Sequence, residues 1–290
     1  MSTVHLSTRQ PGALALFWSR ARRNKGTAIG LVLVLVMVAS AILAPWIAPH
    51  DPLEQDIIAR LEPPSDTYLL GTDPYGRDIL SRILWGGRVS LFVSTSAVLI
   101  AMVVGSAIGI LAGYIGGKFD RVTMACMDVL LSFPSLIMGL LVVAMLGPSI
   151  VNLILAIGLT AVAPFARIAR APTLVIKERE FVEAGRAMGF SHGRIMGIHI
   201  LPNVASEVMV MASLWLATAI RTEASLSFIG LGVRPPTPTW GSMIREGFEN
   251  ILDAPWLSIF PSIAILIVML GLNLLGDGLR DATDPRLRHE

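Results

Sequence analysis

From position 28 onward the chain is a series of long apolar runs divided by short charged stretches. A helix needs roughly 20 predominantly apolar residues to cross the hydrocarbon of a bilayer. Six segments read as spans on that criterion: residues 28–48, 90–115, 122–146, 150–167, 204–220 and 257–276. The first follows Arg20, Arg22, Arg23 and Lys25, as the core of a signal peptide would, but its length and the stretch before it predict an uncleaved anchor. In the long loop that follows, residues 49–89, Ile79, Leu80, Ile83 and Leu84 share a helical face beside Trp85. That pattern predicts an amphipathic helix on the outer leaflet, with Asp73 as its cap and Pro74 at its first position.

Composition agrees with this pattern: 53% of the 290 residues are hydrophobic and only 15% are charged, which a bilayer accommodates and a soluble domain does not. Sixteen Lys and Arg residues fall on the side of the N-terminal tail and six on the other, with Arg221 at the far end of the fifth span. The positive-inside rule therefore puts both termini in the cytoplasm. The net charge of +2 orients a membrane protein and does not point to nucleic acid. Cys126 is the single cysteine, so no intrachain disulfide is possible.

The expected organisation is a cytoplasmic tail (1–27), a first helix (28–48), an extracytoplasmic loop (49–89), a five-helix core (90–276) and a second cytoplasmic tail (277–290). Gly105, Gly109 and Gly113 form a small-residue stripe on the second span that lets another helix approach closely, within the bundle or from a second subunit. Pro134, Pro164 and Pro261 fall in or near spans, where neighbours must satisfy the freed carbonyls. No internal repeat is visible, which weighs against an inverted-repeat secondary transporter.

Residues 177–203 are a polar piece between two apolar runs. Phe181, Ala184, Gly185 and Met188 recur at helical spacing among charges, Gly189 stops the helix, Ser191 caps a second one, and Pro202 prevents continuation into the fifth span. Periodicity alone leaves two readings open: a connector lying on lipid headgroups, or a surface that inserts into another protein's groove.

Glu183-Ala184-Gly185, Gly189 and Leu201-Pro202 resemble the EAA motif of ABC importer permeases, with Gly185 in place of an Ala and His199 in place of the usual Ile. The stretch 71-GTDPYGRDILSRILWGGRVSL-91 is similar to the GTD-x-x-GRD-x-x-SR signature of the second permease subunit of the dipeptide/oligopeptide/nickel family. Three further stretches match that family in order: 120-DRVTMACMDVLLSFPSL-136, 225-SLSFIGLGVRPPTPTWGSMI-244 and 273-NLLGDGLRDATDPRLR-288. The resemblance implies an all-α, six-span membrane protein with the type I ABC importer permease fold, located in the bacterial inner membrane. It implies that Glu183, Ala184, Gly185, Gly189, Leu201 and Pro202 dock on an ATPase, and that Gly71, Thr72, Asp73, Gly76, Arg77 and Asp78 help to form the outer mouth. The partners implied are a homologous permease, two ATPase subunits or domains and an extracytoplasmic solute-binding protein, besides membrane lipid.

Charges within spans face protein or water more often than lipid. Asp128, Arg221 and Glu223 are accordingly candidates for structural pairing or for the translocation pathway. No phosphate-binding loop of the G-x-x-x-x-G-K-[ST] type exists, so ATP and Mg belong on partner subunits and this chain binds no cofactor of its own. His5, His50, His192, His199 and His289 do not cluster, and no catalytic or metal constellation is evident. The function expected is the permease subunit of an ATP-driven importer of di- or oligopeptides. Nickel chelate, glutathione or another small solute are alternative cargoes. A secondary transporter without an ATPase and a membrane scaffold are the competing classes.

Overall fold

A computed structural model describes residues 25–283. The expected N-terminal tail therefore lies almost wholly outside the described residues. The fold is helical: α1 (Lys25–Ile47), α2 (Ile79–Ile115), α3 (Gly117–Ser132), α4 (Ser135–Leu146), α5 (Ile150–Ile176), α6 (Glu180–Ala187), α7 (Leu201–Ile229), α8 (Trp240–Glu249) and α9 (Trp256–Thr283). One helical turn, His192–Arg194, and a π-helical stretch, Ile195–Ile200, lead into α7. Five helices are long and apolar enough to cross a membrane: α1, α2, α5, the continuous His192–Ile229 and α9.

The third expected span behaves differently. Its two halves, α3 and α4, meet at 89°, so it is a sixth span only if the bent pair is counted as one. Phe133 and Pro134 are both extended at the bend, with ψ of 133° and 128°. Proline lacks the N–H that would continue the helix and pushes the preceding residue out of the α region. Pro164 and Pro261, by contrast, stay inside α5 and α9.

The Gly105, Gly109 and Gly113 stripe is used within the chain. A Cβ at Gly109 would lie 2.1 Å from the Ala166 carbonyl oxygen, and one at Gly105 would lie 2.5 Å from that of Val162. The backbones of α2 and α5 therefore touch along the stripe, and the core forms around them with Phe165, Val93 and Leu153 fully buried. The same device joins α1 to α9, where a Cβ on Gly30 would meet Leu274 Cβ at 2.7 Å.

Several boundaries move. The fourth span continues past Arg167 to Ile176, because its basic residues find acids on α3 and do not need to leave the helix. Pro202 does not stop the chain before the fifth span. The π-helical stretch shifts the hydrogen-bond register, with Leu201 N–H donating to Met196 O, and Pro202 then occupies the first turn of α7, where no N–H is needed. α9 carries on to Thr283, well into the expected C-terminal tail.

No separate amphipathic helix lies in the 49–89 loop. Residues 79–89 are the first turns of the 37-residue α2. The cap is Asp78, not Asp73: Asp78 Oδ2 accepts from Ser81 N–H at 2.8 Å. Asp73 is engaged elsewhere, accepting from the Tyr75 and Arg77 amides at 2.8 and 3.1 Å.

Candidate functional site

The segment between α5 and α7 is an eight-residue helix, α6, entered from an extended Arg179 and closed by a Schellman turn. Gly189 takes φ +78°, the Gly189 amide donates to Arg186 O at 2.9 Å, and the Phe190 amide donates to Gly185 O at 3.0 Å. No atom lies within 4 Å of a Cβ built on Gly189, so its requirement is conformational and not steric. Ser191 then caps the next turn, accepting from Arg194 N–H at 3.3 Å.

Rings fix this segment to the bundle. His199 lies between Phe181 and Phe190, at 6.0 Å from each and nearly parallel to Phe190. The guanidinium of Arg194 covers the other residue of that stack, 4.2 Å from the Phe190 ring centre. Tyr114, near the end of α2, meets His192 Nδ1 at 2.8 Å and lies under Arg186. Lys177 Nζ donates to Gly113 O at 2.9 Å, and Asn203 Nδ2 donates to His199 O at 2.6 Å.

The expected docking residues divide. Glu183, Ala184, Gly189, Leu201 and Pro202 are exposed, whereas Gly185 is buried against Phe190. The apolar part of the exposed surface comes instead from Phe181 and Met188, 47% and 67% exposed, on either side of Ala184. A small apolar knob edged by Glu183 and Arg186 thus stands at the end of the bundle, held by helices that run the bundle's length.

The candidate pathway charges also divide. Asp128 on α3 pairs with Arg167 on α5, and both side chains are more than half exposed. Three residues further along α5, Arg170 grips both oxygens of Asp120 at 2.5 and 2.6 Å. Arg221 is exposed, while Glu223 is fully buried and accepts from Ser227 Oγ at 2.7 Å, one turn further along α7.

At the opposite end of the bundle, Gly71, Thr72, Asp73, Gly76, Arg77 and Asp78 are all buried. Gly76, with φ +74°, has no room for a side chain: a Cβ there would lie 1.7 Å from Asp56 O. Arg77 Nε donates to Asp73 Oδ2 at 2.6 Å, and Arg77 and Arg82 both reach Glu246 on α8 at 3.2 Å. Burial pushes the Glu246 carboxyl above its ordinary range, and the two guanidiniums oppose that shift. These signature residues form an internal brace between the loop, α2 and α8.

Residues 105–289 match the family described as binding-protein-dependent transport system inner membrane component, and residues 12–64 match the N-terminal transmembrane domain of oligopeptide transport permease C. The chain belongs to this permease family.

Relatives of the permease span nearly its full length. It is 40% identical to a di/tripeptide transport system permease of Pseudomonas aeruginosa, covering 96% of this chain and 94% of that one. It is 39% identical to a dipeptide transport system permease of Haemophilus influenzae, covering 99% and 100%. A glutathione transport system permease of Pectobacterium atrosepticum is 43% identical, covering 94% and 91%. Among solved structures, an inward-facing MetNI methionine ABC transporter superposes with a TM-score of 0.58 at 19% identity, covering 71% of this chain and 98% of that one. The fold is thus the type I ABC importer fold, in a multi-pass membrane permease.

Sequence reasoning passed over several residues that organise these sites in the permease. Ser81 and Arg82 end the GRD-x-x-SR signature and could have been found from it. Glu246 lies in no recognised motif, and only its place in space shows that it neutralises Arg77 and Arg82. Tyr114 and Phe190 likewise read as ordinary aromatic residues until the helix ends come together.

Proposed function

We propose that the permease is one half of the transmembrane pathway of an ATP-driven peptide importer. It pairs with a homologous permease, receives cargo from an extracytoplasmic solute-binding protein, and takes its energy from two ATPase subunits that hold the ATP and Mg. It resides in a bacterial inner membrane with both termini in the cytoplasm. The observation that carries this reading is the knob of α6: Phe181, Ala184 and Met188 are exposed on a short helix whose end is locked by the Gly189 turn, with Phe190 after that turn stacked on His199. Such a knob fits a groove on a nucleotide-driven partner, and its anchoring to Tyr114 and α7 transmits a push to the spans.

Peptides are the favoured cargo because the Pseudomonas and Haemophilus relatives carry that name across nearly the whole chain. Glutathione is the second reading, supported by the Pectobacterium relative at 43% identity and by its being a tripeptide itself. The deciding experiment reconstitutes the complete importer in vesicles and compares ATP-dependent uptake of dipeptide, oligopeptide and glutathione, with and without Ala184→Asp. Expected are peptide uptake, and loss of both uptake and ATPase association in the variant. Transport that persists without any ATPase would refute the importer reading.

A further inference from the structure

The ion pair of Asp128 and Arg167 lies deep in two helices. Along α3 the steps from Gly117 to Asp128 amount to about 17 Å, and along α5 those from Arg167 to Ile176 to about 14 Å. Charges at such depth face protein or water and not lipid. The surface around Asp128 agrees. Arg121, Ala125, Asp128 and Ser132 recur at i, i+4, i+7 and i+11 and are all exposed, which draws a polar, small-residue face along α3.

Two ion pairs join α3 to α5, and their geometries differ. Arg170 closes on both oxygens of Asp120 through Nε and Nη2, and the side chains are 32% and 13% exposed. That pair is closed and structural. Arg167 gives Asp128 a single donor, Nη2 to Oδ1, and the side chains are 53% and 56% exposed. Among the described residues no other group hydrogen-bonds to either side chain. Arg167 therefore keeps its Nε and Nη1 donors, and Asp128 keeps Oδ2, open to an incoming molecule. Free paired donors on a guanidinium suit a carboxylate, and a free carboxylate oxygen suits an ammonium.

An apolar pocket opens one turn away. Leu131, Phe133, Met138, Thr160, Pro164 and Trp215 line it, where α3 and α4 break beside α5 and α7. Leu131 follows Asp128 by one turn on α3, and Pro164 precedes Arg167 by one turn on α5. The pair and the pocket therefore share a face on both helices.

We propose that Asp128, Arg167 and this pocket hold a zwitterionic dipeptide in transit, a role that rests on the peptide-importer function proposed above. Arg167 takes the C-terminal carboxylate, Asp128 takes the N-terminal ammonium, and a cargo side chain enters the pocket.

The test uses the complete importer in vesicles, with alanyl-alanine delivered by a saturated binding protein, and records uptake and ATP hydrolysis in the same sample. Asp128→Asn, Arg167→Gln and the double variant should each retain the partner permease and keep ATP hydrolysis within about twofold of wild type. Uptake should fall at least fivefold in all three. A pair that only braced α3 on α5 would behave differently: the neutral double variant would recover the uptake that each single variant loses. A dipeptide ending in benzoylphenylalanine, photolysed during turnover, should label peptides containing Met138 or Trp215, at least fivefold less in the three variants. Uptake recovered in the double variant, uptake unchanged in all three, or absence of that labelling in wild type overturns the proposal. So does loss of the partner permease from all three variant complexes, which would make the pair a subunit contact. A wild-type complex without ATP-dependent uptake would remove the importer reading and this site with it.

Discussion

Glu246 offers the strictest test of how the loop end of the permease is held. Its carboxylate is 3.2 Å from the guanidiniums of Arg77 and Arg82, whose side chains are only 5% and 2% exposed. Glu246→Ala leaves those two cations with Asp73 as the single remaining anion of the brace. Removing one partner from a fully buried pair costs about 3–5 kcal/mol. Glu246 is itself 26% exposed, so solvent screening lowers the expectation to about 2–3 kcal/mol. Every 1.4 kcal/mol is a factor of ten, so local opening should become about thirty- to a hundredfold more frequent. Hydrogen exchange reads this at the amides that close the loop: Leu61 to Asp73 O, Thr72 to Glu62 O and Ile79 to Gly71 O. The Gly116 amide, at the other end of α2, should keep its protection. The double variant Arg82→Met/Glu246→Leu should recover most of the loss, because replacing a buried pair by apolar side chains is close to neutral. If the three loop amides exchange less than threefold faster in Glu246→Ala, the brace does not hold the loop.

Further outcomes follow from the same geometry. Gly109→Val should prevent accumulation of folded permease, since its Cβ would collide with the Ala166 carbonyl on α5; detergent-solubilised yield by size-exclusion chromatography measures this. Gly189→Asn should keep most substrate-stimulated ATPase activity while Gly189→Val loses it, because φ +78° suits Asn and strains a β-branched residue, and the surrounding space is empty. Asp120→Asn should cost about 1–2 kcal/mol, between the values for exposed and buried pairs, and should speed proteolysis at the α2–α3 junction. Pro134→Ala should widen the α3–α4 angle, seen as a longer distance between spin labels at Cys126 and Met145→Cys.

The Gly105–Gly109–Gly113 repeat shows where one-dimensional reading ends: it announces a close helix contact without naming the partner helix. Only the carbonyls of Val162 and Ala166, lying over those positions, identify α5 of the same chain. Asp73 is a similar case. As a residue type it suits a helix cap, but Arg77 and two amides claim its oxygens first, and Asp78 caps α2 instead. Basic residues misled the eye for a related reason. Arg167 and Arg170 read as the end of a span, yet acids on α3 let the helix continue to Ile176.

Hydrophobic length, charge asymmetry and ordered motifs were sufficient to make this chain a helical membrane permease, because a bilayer imposes the same length and polarity rules on every span. Local turn chemistry was also legible, as at Gly189 and Ser191, since caps depend on neighbours only a few residues away. The 89° break at Pro134, the π-helical passage through Pro202, the inward turn of Gly185 and the brace through Glu246 were decided by tertiary structure. Each depends on which carbonyl, ring or charge from a distant segment occupies the neighbouring space, and sequence spacing carries no record of that distance.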